Sequence, residues 1–205
     1  MTQWVENPTG GRDRGPIALV RAWAEILLRP QRFFQAGIAP GDQAPGLVFI
    51  AVVVLVEEGS RFAVVELAQR GQLSLGPYDY PVIGDLEPLT ALLALVAIVV
   101  FVAPAVLHLT AAAQTLLLAP LAPDRGGISE TVQVIAYATA PCVFAGLPLP
   151  EVRIACGIWA AGLYVYGMGT IHNLSLPRAL VVSAAPAVVL FGYGFRAFAA
   201  ADALL

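Results

Sequence analysis

The sequence predicts an all-α membrane protein, a polytopic bundle of about five transmembrane helices preceded by an amphipathic interfacial helix. Apolar residues make up 59% of the 205 positions. Charged residues make up only 12%, about half of the roughly 25% that is usual in soluble domains. The mean hydropathy is +0.78. Several apolar runs approach or exceed the roughly 20 residues that a helix needs to cross a bilayer.

The first part of the chain is polar and then amphipathic. Residues 1–16 contain Gly, Pro and charges, so we expect a disordered tail. Residues 17–39 place apolar side chains on one helical face and charges on the other. This helix is too charged to span, so we expect it at the cytoplasmic interface, with Trp23 and Phe33 at headgroup level and Arg29 on the polar face. The alternative is an ordinary helix packed on the cytoplasmic side of the bundle.

Residues 40–205 are expected to form the bundle. The five predicted spans lie at about 46–68, 89–121, 130–146, 151–171 and 178–200. The second run is longer than one bilayer crossing, so we expect a tilted helix with a kink at Pro104.

The placement of arginine, which supplies every basic residue, predicts the orientation. Five arginines precede the first span, and Arg125 and Arg178 lie in the loops after the second and fourth spans. The first loop, residues 71–88, is acidic. The positive-inside rule therefore predicts a multi-pass protein of the cell membrane, with a cytoplasmic N-terminus and the C-terminus outside. A net charge of −3 gives no basic face for nucleic acid.

Glu57, Glu58 and Arg61 interrupt the first span and are the main candidate site. Ionisable side chains inside a membrane cost about 2.5–3.5 kcal/mol each on insertion scales, which makes them functional candidates. Arg61 lies four residues after Glu57 and three after Glu58, so it can pair with either carboxylate. One carboxylate then lacks a partner within the helix and is protonated, bound to a cation or facing water. The alternative is a helix that ends near Val56, with these charges among the outer headgroups.

A second candidate is a polar stripe on the second span, formed by His108, Thr110 and Gln114. Such side chains commonly form hydrogen bonds between helices, and lining a solute pathway is the alternative. No spacing of His, Cys or acidic residues predicts a metal or cofactor site. No catalytic residue is predicted.

The second half of the chain carries several short motifs. They are Tyr137-Ala138-Thr139-Ala140-Pro141 in the third span, Ile158-Trp159 in the fourth, and His172-Asn173-Leu174-Ser175 before the fifth. Residues 27–34 add a Pro-containing amphipathic entry. In these motifs, over most of residues 20–200, the chain resembles the Yip1-domain family of membrane proteins, and Tyr137, Pro141, Trp159, His172 and Asn173 are its family-motif residues.

The resemblance implies five spans, a cytoplasmic N-terminus and a tendency to oligomerise. Eukaryotic relatives assist vesicle traffic and bind small GTPases. The chain lacks the Asp-Leu-Tyr-Gly-Pro element that those relatives carry before their first span, so a small GTPase partner is not expected. The expected partners are the lipid bilayer, other membrane proteins and further copies of the chain.

Three functional classes are considered. The first is a non-enzymatic, Yip1-like membrane protein that acts through helix–helix contacts. The second is a small-solute or ion permease that uses Glu57, Glu58 and Arg61, although five spans do not divide evenly into two repeats. The most remote is an intramembrane hydrolase. CAAX-type intramembrane proteases carry a Glu-Glu-x-x-x-Arg motif, which is one residue longer than the Glu-Glu-x-x-Arg of this chain. The spaced histidines of that family are also missing here.

Overall fold

Helices dominate the computed structural model, which describes residues 3–6, 12–69, 71, 87–123 and 125–205. The all-α class predicted from the sequence is confirmed. Most of the predicted acidic loop, residues 71–88, lies outside the described residues. Two short strands, β1 (Gln3–Glu6) and β2 (Arg12–Arg14), pair antiparallel where the sequence predicted a disordered tail.

The amphipathic segment forms two helices. They are α1 (Pro16–Leu28) and α2 (Pro30–Ala36), and each begins with a proline. Proline is favoured at the first helical position because its missing N–H has no partner there in any case. Pro30 also disfavours helical backbone at the residue before it, so α1 ends and Arg29 adopts an extended φ of −140° between the two helices.

The first predicted span is one unbroken helix, α3 (Ala44–Gln69). Its 26 residues make it about 39 Å long at a rise of about 1.5 Å per residue. The helix continues through Glu57 and Arg61, so the alternative of an end near Val56 is wrong. Gly46 allows α3 to approach the middle of the bundle, because a Cβ atom there would lie 3.2 Å from Gln133 Cα.

The second span contains a π-helical turn. α4 (Pro88–Ala97) passes into the first π segment (Ile98–Val102), which passes into α5 (Ala103–Leu118). Pro104 has no N–H with which to continue the α-helical pattern. The Ala103 N–H bonds instead to the Ile98 carbonyl, five residues back. The irregularity expected at Pro104 therefore takes the form of a widened turn beside it.

The third span is bent. α6 (Ile128–Ala138) is followed by a 3₁₀ helix (Ala140–Gly146), and the two are inclined by 40°. Pro141 explains the change, because it cannot donate to the carbonyl four residues earlier and the chain tightens into 3₁₀ turns. The predicted span 130–146 is thus two helices joined at Thr139.

The last part of the bundle holds α7 (Pro150–Ile171) and α8 (Leu176–Ala187). α8 passes into a second π segment (Val188–Gly194). A short helix, α9 (Ala197–Asp202), follows after Arg196, whose φ of +59° turns the chain. The predicted fifth span, 178–200, therefore ends near Gly194.

Three described helices are long and apolar enough to cross a membrane: Leu89–Leu118, Pro150–Ile171 and Leu176–Gly194. A fourth results if α6 and the 3₁₀ helix are one bent span. α3 falls outside this set because Glu57, Glu58 and Arg61 lie within it. The multi-pass membrane class is confirmed, and α3 as a fifth span stays a prediction.

The core is centred on α6, where every residue from Thr131 to Ala138 is buried. α3, α5 and α7 pack around it. α1 and α2 cross the remaining side, where Phe33 packs edge-on against Tyr137 with ring centroids 4.9 Å apart. On the far side of α2, a Cβ atom at Gly167 of α7 would lie 2.8 Å from the Phe34 ring.

Candidate functional site

The three charged residues predicted as the main site are buried inside the protein. Glu57 is 3% exposed, Glu58 8% and Arg61 2%. α3 places them on one face because residues three and four apart are neighbours on a helix. The 3₁₀ helix lies directly against this turn, where a Cβ atom at Gly146 would collide with Ser60 Oγ and the Glu57 carbonyl oxygen. The close approach of Gly146 keeps this turn of α3 covered.

Two further arginines complete the site. Arg61 Nη1 lies 2.6 Å from Glu58 Oε2 and 3.9 Å from Glu57 Oε1. Arg153, in the first turn of α7, places Nη1 3.6 Å from Glu57 Oε1. Arg196 places Nη1 3.3 Å from Glu58 Oε1. Within α3, Arg61 lies close to Glu58 but 3.9 Å from Glu57 Oε1, which has no hydrogen-bond partner among the described residues. The positive charges that α3 does not supply come from other elements, because Arg153 faces Glu57 and Arg196 faces Glu58.

The sequence alone does not assign Arg153 and Arg196 to this site. They lie 96 and 138 residues from their glutamate partners in the sequence, so no local spacing connects them. A signal was present, since the five-span topology places both near span ends on the outer side. Two acids on one span and two arginines on the same side of the bundle are candidates for pairing.

A cavity of about 290 Å³ adjoins the charged cluster. This space, the π cavity, lies between α3, the first π segment and the second π segment. Glu57, Glu58 and Arg196 form its polar end. The rest of its wall is almost wholly apolar and includes Ile50, Val54, Ile98, Val102 and Leu190.

The polar side chains on the second span form hydrogen bonds with two different parts of the bundle. His108 Nε2 lies 3.0 Å from Gln43 Oε1, and Gln43 donates to Ser129 Oγ at 3.2 Å. Gln114 is buried and accepts a 2.5 Å hydrogen bond from the Tyr164 hydroxyl. These bonds link α5 to the start of α3 and to α7, as expected for polar groups that hold helices together.

The remaining predicted residues take separate positions. Thr110 is half-buried on α5. Trp159 is 46% exposed on the outer face of α7. Pro141 lies in the bend after α6, as described above. The structure therefore does not bring these three residues to the charged cluster.

His172 and Asn173 end α7. Asn173 has φ +52°, a left-handed conformation that Asn tolerates well, and the Leu174 N–H bonds to the Gly169 carbonyl at 2.9 Å. His172 is 2% exposed and its Nε2 lies 3.2 Å from Thr131 Oγ1. Burial, together with the positive charge of Arg125, lowers the pKa of His172 to about 4. This family motif is a helix stop that also connects α7 to α6.

The residues expected at the membrane interface differ in how deeply they are buried. Phe33 is fully buried against Tyr137, which differs from the expected contact with headgroups. Trp23 is half-buried, and its Nε1–H donates to the Ala140 carbonyl at 2.9 Å. Arg29 is exposed. The apolar face of α1 is thus used for packing on the bundle, which was the alternative considered for this helix.

A metal centre has no basis in the described part of the chain. There, no three His, Cys, Asp or Glu side chains lie close enough together to hold an ion. Cys142 and Cys156 are both buried and unbonded to each other.

Comparison with known proteins identifies one family. The family model of the Yip1 domain matches residues 24–197, which is most of the chain. No curated protein matches. No solved structure matches either. The family resemblance predicted from residues 137–175 and from the entry at 27–34 is confirmed, and the chain belongs to the Yip1 family.

Proposed function

We propose that this Yip1-family protein is a non-enzymatic membrane protein that acts through helix–helix contacts with other membrane proteins or with further copies of itself. The observation that carries the proposal is the uncovered state of its most apolar helix. In the most hydrophobic 18-residue window of Leu89–Leu118 almost no residue is buried, Ala103 being the exception, whereas 39% of the corresponding window is buried in α7 and also in Leu176–Gly194.

The exposed part of this helix is continuous. Large apolar side chains on α4 and the first π segment are 48–69% exposed: Leu89, Leu92, Leu93, Val96, Val100 and Phe101. Lipid tails are as apolar as these side chains, so association of such a helix in a bilayer depends on packing against a matching surface. A helix that its own chain leaves uncovered can offer that packing to a partner.

Photo-crosslinking tests this proposal in native membranes. A benzophenone amino acid at Leu93 or Phe101 is expected to form covalent adducts with protein. The same group at Leu107, which is on the same helix but fully buried, is the matched control. If the exposed positions yield only lipid adducts, the helix is a lipid-facing span and the proposal fails.

We also propose that the N-terminus is cytoplasmic and the C-terminus is outside. Arg153 and Arg196, the arginines described near the predicted outer end, both face glutamates. Arg125 and Arg178, near the predicted inner end, are exposed. Among the arginines whose exposure the structure describes, the exposed ones therefore lie at the predicted inner end, the side to which the positive-inside rule assigns arginine.

A permease is the second candidate, and the burial of Glu57 and Glu58 beside the π cavity favours it. In that case, vesicles containing the purified protein should take up or release a small solute, and Glu57→Gln should abolish the flux. A full set of guanidinium partners for both carboxylates is more typical of a structural ion-pair network, so this candidate ranks second.

A further inference from the structure

We propose that the π cavity binds an amphiphile that carries an oxyanion on a hydrocarbon chain. Arg196 holds the oxyanion, and the chain lies against the apolar wall formed by α3 and the two π segments. This binding site uses different side chains from the helix–helix contacts proposed above, which use exposed side chains of α4 together with Val100 and Phe101.

The division of the cavity wall indicates an amphiphile. Polar groups occur at one end, where Glu57, Glu58 and Arg196 lie. Apolar side chains such as Val54 and Leu190 form the rest. A volume of about 290 Å³ is at the lower limit of the range for small-molecule sites, roughly 300–1,000 Å³. A ligand that fits must combine a charged head with an apolar body.

Both π segments face this one cavity. The first contributes Ile98 and Val102, and the second contributes Leu190 and Gly194. π-helical turns are rare, are less regular than α-helix, and frequently occur at functional sites. The two π segments belong to different spans and line the same cavity, so the irregular helical turns are concentrated around this space.

Arg196 is held in position by its backbone. Its φ of +59° and ψ of 32° lie in the left-handed region, which is sterically unfavourable for a non-glycine residue. This conformation ends the second π segment and directs the side chain back to Glu58, 3.3 Å away. Strained residues of this kind cluster at ligand sites, where the surrounding structure holds them.

The charges at the polar end favour an anion. Both Glu58 oxygens already face arginine nitrogens, and the closer contact is to Arg61 at 2.6 Å. Arg153 and Arg61 lie behind the Glu57 carboxylate and add positive potential. The Arg196 side chain is 25% exposed, and a guanidinium has five N–H donors, so it can donate to a ligand while it contacts Glu58. A carboxylate or a phosphate ester fits this donor.

Two sources supply such a ligand in a membrane, a free fatty acid and an anionic phospholipid. The full-length protein in a mild detergent is incubated with oleate, phosphatidylglycerol, zwitterionic phosphatidylcholine or inorganic phosphate, and retained molecules are measured by native mass spectrometry. We expect retention of oleate or of phosphatidylglycerol, and the one retained more strongly identifies the source. Equal retention of phosphatidylcholine, or equally tight binding of inorganic phosphate, overturns the proposal.

Two variants and their matched controls locate the site. Arg196→Gln removes a charge-assisted hydrogen bond and should weaken retention about tenfold or more. Leu190→Phe narrows the apolar wall and should also weaken it. Arg178→Gln, at an exposed arginine near the other end of the bundle, and Val189→Phe, on the outer face beside Leu190, should have no effect. Equal retention in all four variants contradicts the proposal.

A measurement on the unmodified protein does not depend on the folding of variants. A fatty acid with a photoreactive group near the end of its chain should label peptides that contain residues 98–102 or 188–194. Labelling confined to other exposed apolar surfaces would show that the chain binds outside the π cavity, and the proposal would fail.

Discussion

At the scale of the residue, Arg61 can be buried inside the bundle because Glu57 and Glu58 lie on the same helical face and face its guanidinium. Its side chain is 2% exposed, so water contributes little to its solvation. The spacing of these residues in the sequence predicts their mutual contact. It does not predict Arg153 and Arg196, because pairing across the bundle depends on where the bend after α6 and the turn at Arg196 place the chain.

Arg61→Ala should strongly destabilise the protein. Removing one partner of a buried pair costs about 3–5 kcal/mol, whereas an exposed pair is worth about 1 kcal/mol or less. Thermal unfolding in detergent should show a decrease on the order of 10 °C for Arg61→Ala. Arg21→Ala is the matched control, since Arg21 pairs with Glu25 on the surface of α1 and is 40% exposed.

Adding Glu58→Gln to Arg61→Ala should restore part of the loss, because Glu58 Oε2 loses its partner 2.6 Å away when Arg61 is removed, while Arg196, which faces the other Glu58 oxygen, is 25% exposed and keeps access to water. If Arg61→Ala melts within a degree or two of the wild type, the cluster is solvated and the buried ion-pair network is not an important source of stability.

Gly146→Ala should destabilise the contact between the 3₁₀ helix and α3. The new Cβ atom would meet the Glu57 carbonyl oxygen, which is backbone and cannot rotate away, as well as Ser60 Oγ. Overpacking of this kind typically costs about 1–3 kcal/mol. Gly162→Ala on α7 is the control, because its Cβ has nothing within 4 Å and alanine favours helix by roughly 0.5–1 kcal/mol. Gly146→Ala should lower the melting temperature and Gly162→Ala should raise it. Equal shifts for the two variants would contradict the close approach of Gly146 to α3.

At the scale of the element, the sequence predicts where a helix begins more accurately than it predicts where that helix packs in the folded protein. Pro16, Pro88 and Pro150 begin helices within one residue of the predicted starts, because each proline acts on its own turn. Pro30 begins a second helix where the sequence predicted one continuous helix over residues 17–39. The location of α1 could not be predicted in this way. An apolar helix face has the same sequence pattern whether it packs against lipid or against protein, and the surface for Trp23 is formed by α3 and the 3₁₀ helix, which are distant from it in the sequence.

The end of α7 makes stability depend on pH through His172. Its folded pKa of about 4 lies below the usual value of 6.5, so between these values the unfolded state binds a proton that the folded state does not. The contribution is therefore complete above about pH 6.5 and is lost as the pH falls toward 4. At pH 5 the loss relative to pH 8 should be on the order of 2 kcal/mol.

Melting temperatures measured from pH 8 to pH 5 test this expectation. His172→Gln should flatten the pH dependence relative to the wild type, while His108→Gln, at an exposed histidine on α5, should leave it in place. Parallel curves for wild type and His172→Gln would show that the imidazole does not contribute to the dependence.

At the scale of the whole molecule, hydropathy predicts the membrane class and arginine bias predicts the orientation. Neither hydropathy nor arginine bias shows whether α3 crosses the membrane, since its apolar residues favour a span and its charged residues oppose one. The structure resolves the local conflict by burying those charges among other helices. The orientation is tested with single cysteines at Ser74 and Pro123 in a background without Cys142 and Cys156.

A membrane-impermeant maleimide applied to intact cells should label Ser74→Cys and leave Pro123→Cys unlabelled. Labelling of both positions after the cells are opened is the control for accessibility. The reverse pattern in intact cells would place the N-terminus outside and overturn the proposed orientation.

The contact between Phe34 and Gly167 has a consequence for biosynthesis. α1 and α2 leave the ribosome before α6 and α7, yet the surface on which they pack includes α6 and α7. During this interval Phe33 and Phe34 have no protein to cover them. An amphipathic helix can lie on the membrane surface during this interval, with its apolar face in lipid. α1 and α2 can then complete their packing only after α7 has been made, and chains that stop before α7 leave the apolar faces of these two helices uncovered by protein.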